Sequence, residues 1–254
     1  MAPKTRFLIL VPDGAADHAL DELDGQTPLQ AARTPHMDRL AAGGKGGLVQ
    51  MIPPSRPPGS DVGNLEIFGY DTTQYYTGRA PLEAASMGLN MGPEDIAFRC
   101  NLVYSEGDTL VDYSAGHIET EEGRILVEQV GAALGTEAIR FFPGVGYRHI
   151  MVFRGGPERL VSYPPHDIMG QSANAHLPTG EGVEIIHDLM ERAKPILAAA
   201  RSNLERRNRG ERPANGIWLW GEGRPLELPS AQERYGLQAA VISAVDLVRG
   251  IGAC

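Results

Sequence analysis

The run Arg56-Pro57-Pro58-Gly59-Ser60-Asp61-Val62-Gly63-Asn64 sets a serine beside an aspartate, after two prolines and a glycine. Val62, Leu65 and Phe68 then recur at helical spacing. A serine at a helix start supports two kinds of chemistry. Its oxygen can accept a backbone N–H as an N-cap. Its hydroxyl can instead be a nucleophile, held where unpaired N–H groups and the helix dipole favour a phosphate. Local sequence leaves both open. A serine hydrolase is disfavoured, because Gly59-Ser60-Asp61-Val62-Gly63 lacks the Gly-x-Ser-x-Gly spacing of a nucleophile elbow.

Asp13 is a second candidate. It lies just past the apolar run Phe7-Leu8-Ile9-Leu10-Val11 and before Gly14. Ligands of open α/β sheets gather outside the carboxyl ends of strands, so this carboxylate can ligate a metal or simply hold an Asp-Gly turn. Arg79, in the turn Gly78-Arg79-Ala80-Pro81, is either an anion contact or a solvated side chain. There is no Gly-x-x-x-x-Gly-Lys-Ser/Thr loop, which leaves ATP use unsupported.

Composition narrows the partners. The formal charge of −9 disfavours nucleic acid and anionic membranes, so any phosphate must be held by local arginines, lysines or metal ions. Cys100 and Cys254 form no zinc or redox spacing, and a reducing, cytoplasmic setting is the simplest reading. The apolar run at 7–11 is too short for a signal-peptide core, and no stretch is long enough to span a bilayer.

The elements that must position these residues fall into two textures. Residues 7–11 and 48–52 read as strands buried on both faces. Residues 34–43 form a helix signed by Thr34, Pro35 and Gly43, and a second helix starts at Ser60. Strand, helix, strand, helix favours a parallel sheet. From Ile96 the pattern becomes α+β. It has a hairpin (97–104 and 109–113, turning at Glu106-Gly107-Asp108), a helix (120–134), a strand (148–153) and a helix (181–201) interrupted near Pro195. A basic joint at 206–213 leads to strands at 217–220 and 239–243, with helices from Ser230 and Asp246. The expected organisation is a core domain beginning at 1–95, an inserted cap at 96–212, and a return to the core at 213–254.

Several separated stretches carry a family resemblance. In the core they are Val11-Pro12-Asp13-Gly14, Thr34-Pro35-His36-Met37-Asp38-Arg39-Leu40, Pro58-Gly59-Ser60-Asp61 with Gly69-Tyr70-Asp71, and Tyr76-Thr77-Gly78-Arg79. Ala97-Phe98-Arg99-Cys100-Asn101, Ser114-Ala115-Gly116-His117-Ile118, Tyr147-Arg148-His149, Pro164-Pro165-His166-Asp167, Pro213-Ala214-Asn215 and Tyr235-Gly236-Leu237 follow. Together they resemble the archaeal-type cofactor-independent phosphoglycerate mutases of the alkaline-phosphatase superfamily, with wording closest to the subgroup labelled proposed homoserine kinase. The resemblance implies an alkaline-phosphatase-like α/β core, here incomplete and mostly parallel, with an inserted α+β cap. It also implies a serine nucleophile, a phosphoserine intermediate, two divalent metal ions (Mn, Mg, Zn or Co) and no 2,3-bisphosphoglycerate. Carried to matching positions, Ser60 is the nucleophile and a metal ligand, and Asp13 is a metal ligand. A metal pair would activate the hydroxyl and clamp the phosphoryl group.

From the cap, the expected contacts to phosphate and carboxylate are Arg79, Arg99, His117 and Arg148, with His149 and His166 behind them. Arginine forks suit both anions, although Arg99 and Arg148 also flank strands and His166 could bond its own turn. Family members continue well past the point matching Cys254 into an Asp- and His-rich set, so the chain is expected to be a C-terminally truncated, inactive fragment. The function implied is interconversion of 3-phosphoglycerate and 2-phosphoglycerate. Alternatives are a homoserine phosphotransferase, a metal-dependent phosphatase, and a non-catalytic remnant that binds phospho-ligands. The expected partner is a small phosphorylated metabolite, with self-association through an uncovered strand edge.

Overall fold

The computed structural model describes residues 5–56 and 58–254. They fall into two compact units, one up to Gln50 and one over Met51–Cys254. In the first, Thr27 and Gln30 form a reciprocal capping box on the short helix α1 (Pro28–Ala31). Pro35 opens helix α2 (Pro35–Gly43), as its sequence signs indicate.

The second unit is mixed α/β. Helices α3 (Ser60–Ile67), α4 (Thr72–Tyr75) and α5 (Ala80–Ser86) lead to the long strand β1 (Asp95–Glu106). A two-residue turn, with Gly107 at φ 57°, sends the chain back as β2 (Thr109–Asp112). Then come helix α6 (Thr120–Leu134), strands β3 (Ile139–Phe142) and β4 (Arg148–Arg154), and helices α7 (Glu184–Ala199) and α8 (Arg201–Asn208). Strand β5 (Gly216–Gly223) and helices α9 (Ala231–Tyr235) and α10 (Asp246–Ala253) complete it.

All strand pairs are antiparallel. β1 pairs with β4 along Asp95–Asn101, with β5 along Ala97–Val103, and with β2 along Tyr104–Glu106, while β3 adds to β4. β1 is buried on both faces for nine consecutive residues, because helices cover each side. Phe98, Cys100 and Leu102 join Leu126 and Val130 of α6 and Ile186 and Leu189 of α7 in the main core. Ala97, on the opposite face, packs with Ile150, Val152 and the alanines of α5. Period-two alternation therefore directs Arg99 and Asn101 toward α5.

The hairpin, α6 and β4 form where their sequence patterns place them. Differences arise where pairing decides. No strand forms over 7–11, 48–52 or 239–243 among the described residues, and Phe7, Leu8, Leu48 and Ile242 are exposed. An apolar run becomes a strand only when a neighbour in matching register satisfies its N–H and C=O groups. The described sheet is antiparallel and offers these runs none, so the expected mostly parallel core sheet is not formed by these residues. Helix α7 runs through Pro195 and breaks instead at Ala200, whose ψ of 131° is extended. The basic segment read as a joint from 206 is helical through Asn208. Residues 217–220 do form a strand, but it is paired with β1, so the sheet of the 96–212 segment extends to Gly223.

Candidate active site

Three arginines are brought together, two by strand register and one by the start of helix α5. On β1, Arg99 stands opposite Ile150 of β4 and Trp220 of β5, and Asn101 stands opposite Arg148 and Trp218. Residues directly opposite in adjacent strands share a face, so Arg99, Asn101, Arg148 and Trp220 all project on the α5 side. Arg79 precedes α5 as its N-cap residue, one turn before Glu83. The two meet as an i,i+4 pair, Arg79 Nε donating to Glu83 Oε1 at 3.1 Å. Arg99 Nε donates to the other oxygen, Oε2, at 2.7 Å. Trp220 lies beneath both guanidiniums, 4.4 Å from Arg99 Cζ and 5.6 Å from Arg79 Cζ to the ring centre. Its indole N–H donates to Asn101 Oδ1 at 3.1 Å, which fixes the ring.

Arg79, Glu83, Arg99, Asn101 and Arg148 line an open cavity of about 480 Å³, together with Ser60, Tyr113, Tyr147, His166 and residues 244–247. An edge-to-face chain of rings runs from the cavity wall to Trp220 behind it: Tyr147 to Tyr113 at 5.4 Å, Tyr113 to His166 at 5.9 Å, and His166 to Trp220 at 5.8 Å. Arg148 lies over Tyr147 at 4.9 Å and donates to its hydroxyl at 3.3 Å. Three guanidiniums face two carboxylates, Glu83 and Asp246, which leaves the cavity cationic within an acidic chain.

Burial sets the protonation states. Arg99 is pushed down to about 10, chiefly by desolvation against the pull of Glu83, so it stays charged at neutral pH. Burial also lowers His166, with Asp167 opposing and Arg79 and Arg99 adding to it, and the imidazole is neutral at pH 7. Burial raises the Tyr147 phenol, leaving it a neutral donor.

Ser60 is the first residue of α3, and the N-cap position belongs to Gly59. The serine is exposed, and its hydroxyl makes no hydrogen bond among the described residues. Asp61, beside it, is buried and accepts the Tyr76 hydroxyl. A Cβ at Gly59 would press on the Asp61 carboxylate.

The remaining candidates lie elsewhere. Asp13 is exposed in a turn closed by Ala15 N–H donating to Pro12 O at 3.1 Å, in the unit that ends at Gln50. His117 is exposed at φ 51°, on a loop held by Ser114, and is outside the cavity lining. His149 follows Arg148 on a strand and so faces the other way, toward Gly123 of α6. Its Nδ1 accepts Gly144 N–H at 3.0 Å. Its Nε2 is buried without a partner, and desolvation pushes its pKa down to about 3.

Glu83, Asn101, Tyr113, Tyr147, Trp220 and Asp246 were not singled out from sequence. The i,i+4 spacing of Arg79 and Glu83 and the alternation from Arg99 to Asn101 were available signals, whereas the others depend on tertiary packing. Among the described residues no cluster of three or more His, Cys, Asp or Glu side chains could hold a metal ion.

Residues 41–203 match the family model of 2,3-bisphosphoglycerate-independent phosphoglycerate mutase. The chain is 53% identical over 253 residues to a Geobacter sulfurreducens protein named as a probable mutase of that kind, covering 98% of this chain and 63% of the relative. A Methanosarcina acetivorans protein named as the same mutase is 48% identical over 249 residues, covering 97% and 62%. Among solved structures, a Pyrococcus horikoshii protein superposes with a TM-score of 0.70 at 31% identity, over 94% of this chain and 57% of that one. The cofactor-independent phosphoglycerate mutase of Thermoplasma acidophilum gives 0.54 at 27% identity, over 94% and 64%. The chain thus spans a little over three fifths of the length of these curated relatives.

Proposed function

The chain belongs to the 2,3-bisphosphoglycerate-independent phosphoglycerate mutase family, and on that premise we propose that it carries the nucleophile and the anion pocket of an enzyme interconverting 3-phosphoglycerate and 2-phosphoglycerate. The observation that carries this reading is one cavity lined by a free serine hydroxyl and by Arg79, Arg99 and Arg148. Ser60 Oγ attacks the phosphorus of the bound phosphoglycerate. The bond from phosphorus to glycerate oxygen breaks as the bond to serine oxygen forms, and the serine proton ends on glycerate. Glycerate then turns in the pocket, its other hydroxyl attacks the phosphoserine, and serine regains a proton. No 2,3-bisphosphoglycerate and no ATP enter this cycle. The arginines hold the anionic groups while the hydroxyls exchange. Tyr113, Tyr147 and His166 bound the pocket on one side.

The sheet and helices from about 96 to Gly223 form the substrate cap in this reading, and the flanking segments belong to the core. The family resemblance calls for two divalent ions, with Asp13 and Ser60 as the ligands from this chain. Two ligands fall short of a site, and the described residues supply no cluster to complete one.

Calorimetry of the chain with 3-phosphoglycerate tests the pocket, and mass spectrometry of the peptide containing residue 60 tests the nucleophile. The expected results are saturable binding, weakened at least about tenfold in Arg99→Ala and Arg148→Ala, and, in a chain extended to the full length of its relatives, phosphate on Ser60 after incubation with substrate and manganese. Binding indifferent to both arginines would refute the assignment of the pocket. Phosphate transfer that needs ATP and homoserine would replace the mutase with the phosphotransferase.

A further inference from the structure

Glu83 is the one carboxylate set between two of the three cavity arginines, and it meets both through Nε. Arg79 Nε lies 3.1 Å from Oε1 and Arg99 Nε 2.7 Å from Oε2. Each oxygen therefore takes the side of one guanidinium and leaves its two terminal nitrogens unused. Among the described residues those nitrogens make no hydrogen bond to protein. Among the described residues the buried side-chain nitrogens and oxygens without a partner are His149 Nε2 and Ser202 Oγ. The terminal nitrogens of Arg99 are absent from that set although the residue is only 4% exposed, so they open on the cavity. Trp220 supports both guanidinium planes from below. The result is two guanidiniums on a fixed base, with their terminal N–H donors free and one net positive charge between them and Glu83. Arg148 differs: it has the Tyr147 phenol as its neighbour and no carboxylate partner among the described residues.

We propose that Glu83 is a positioning and specificity residue, which clips Arg79 and Arg99 side-on and trims their combined charge so that this corner takes the substrate's carboxylate. The phosphoryl group is left to Arg148 and the Ser60 side. A carboxylate is a monoanion and matches one net charge. A phosphoryl dianion in the same place would face Glu83 at short range. Specificity then comes partly from a repulsive element as well as from the donors. This inference rests on the mutase reading for the identity of the ligand, though not for the clip itself.

The test compares 3-phosphoglycerate with glycerol 3-phosphate, which keeps the phosphate and lacks the carboxylate, on the wild-type chain, Glu83→Gln and Glu83→Asp. The wild type is expected to prefer phosphoglycerate by about 10- to 100-fold, the range for losing charge-assisted hydrogen bonds. In Glu83→Gln the preference falls to within about threefold, chiefly because glycerol phosphate gains affinity from the added net charge. Glu83→Asp keeps the charge but loses reach, and gives an intermediate preference. If Glu83 only ties α5 to β1, both ligands weaken together and the ratio stays constant, which overturns the proposal.

A ligand-free measurement decides the clip independently. The Nε–H signals of Arg79 and Arg99 are expected to be exchange-protected in the wild type, with at most one protected in Glu83→Gln, where a single oxygen acceptor remains. Two protected signals in that variant would overturn the clip. Failure of the wild type to bind either ligand, with the signals behaving as expected, would fall on the mutase reading instead.

Discussion

His149 offers a test of the sheet's packing through its proton. Its ring is buried against α6, and no charged neighbour contributes to its shift. Desolvation alone lowers the pKa to about 3. In the unfolded chain the same imidazole titrates near 6.5, so between these values the unfolded state binds the extra proton and the folded state refuses it. Stability is therefore fully present above about 6.5 and is lost as pH falls toward 3, with a limiting slope of about 1.4 kcal/mol per pH unit. Integrated from pH 7 to pH 5, the loss from this one group is about 2 kcal/mol.

The assay is urea unfolding by far-ultraviolet circular dichroism at both pH values, for the wild type and for His149→Asn. Asparagine keeps an acceptor near the Nδ1 position for Gly144 N–H but does not titrate. The variant is expected to be less stable at pH 7 because it leaves a small cavity, yet to lose about 2 kcal/mol less than the wild type on going to pH 5. Glu222, raised by burial, and His166, lowered by it, titrate in both proteins and cancel in the difference. Parallel losses in the two proteins would refute the reasoning, because the buried ring would then take up its proton as easily folded as unfolded.

Three further outcomes follow from particular contacts. Helix α10 crosses α5 so closely that a Cβ at Gly250 would lie 2.6 Å from the Leu82 carbonyl carbon. Gly250→Ala should cost about 1–3 kcal/mol by overpacking and weaken phosphoglycerate binding by moving residues 246 and 247, as melting and calorimetry would show. Arg206 is buried, bonds Glu122, and donates to the carbonyls of Ala115 at 2.9 Å and Arg212 at 3.0 Å. Arg206→Ala should therefore destabilise by about 3 kcal/mol in urea unfolding, well beyond the reach of an exposed ion pair. Ser60→Ala should leave stability within about 0.5 kcal/mol while abolishing phosphate transfer to residue 60. A loss of about 1 kcal/mol or more would instead restore the capping role.

Elements whose determinants are local could be read from the chain. Helix α6 has its apolar face at Leu126, Val127, Val130 and Leu134, and the hairpin has a glycine where the turn demands φ 57°. Strand β3 is four residues long and carries too little pattern to stand out. Helix α8 is polar nearly all round, burying Asn203 and Arg206 through hydrogen bonds rather than through an apolar stripe, so its charge made it resemble a linker. The apolar runs at 7–11, 48–52 and 239–243 failed as strands for the opposite reason: they have the composition, but pairing belongs to the partner. In the site, Ser60, Arg79, Arg99, Arg148 and His166 do converge on one cavity. Alternation along β4 could have separated Arg148 from His149 in advance. Glu83 and Trp220 could not be assigned, since their role exists only once β1 has paired with β5 and packed on α5.

The distance from Ser60 to the arginines is set by apolar packing. Leu65 of α3, Leu82 of α5, and Leu247 and Ile251 of α10 share one buried cluster. Helix α10 thus ties the helix bearing Ser60 to the helix whose start carries Arg79, and its first residues supply one wall of the cavity. The arginines themselves are held more rigidly, two by strand register and one by a single turn of α5. A phosphoryl acceptor must stay within a fraction of an ångström of its target for attack to be productive. Arg99 and Arg148 are preset by the antiparallel sheet, whereas the approach of Ser60, and with it Arg79, depends on how well Leu65, Tyr70, Leu82, Leu228, Leu247 and Ile251 fill a smaller core. Substitutions in that core should act on phosphate transfer before they act on phosphoglycerate affinity, and substitutions in the sheet should do the reverse.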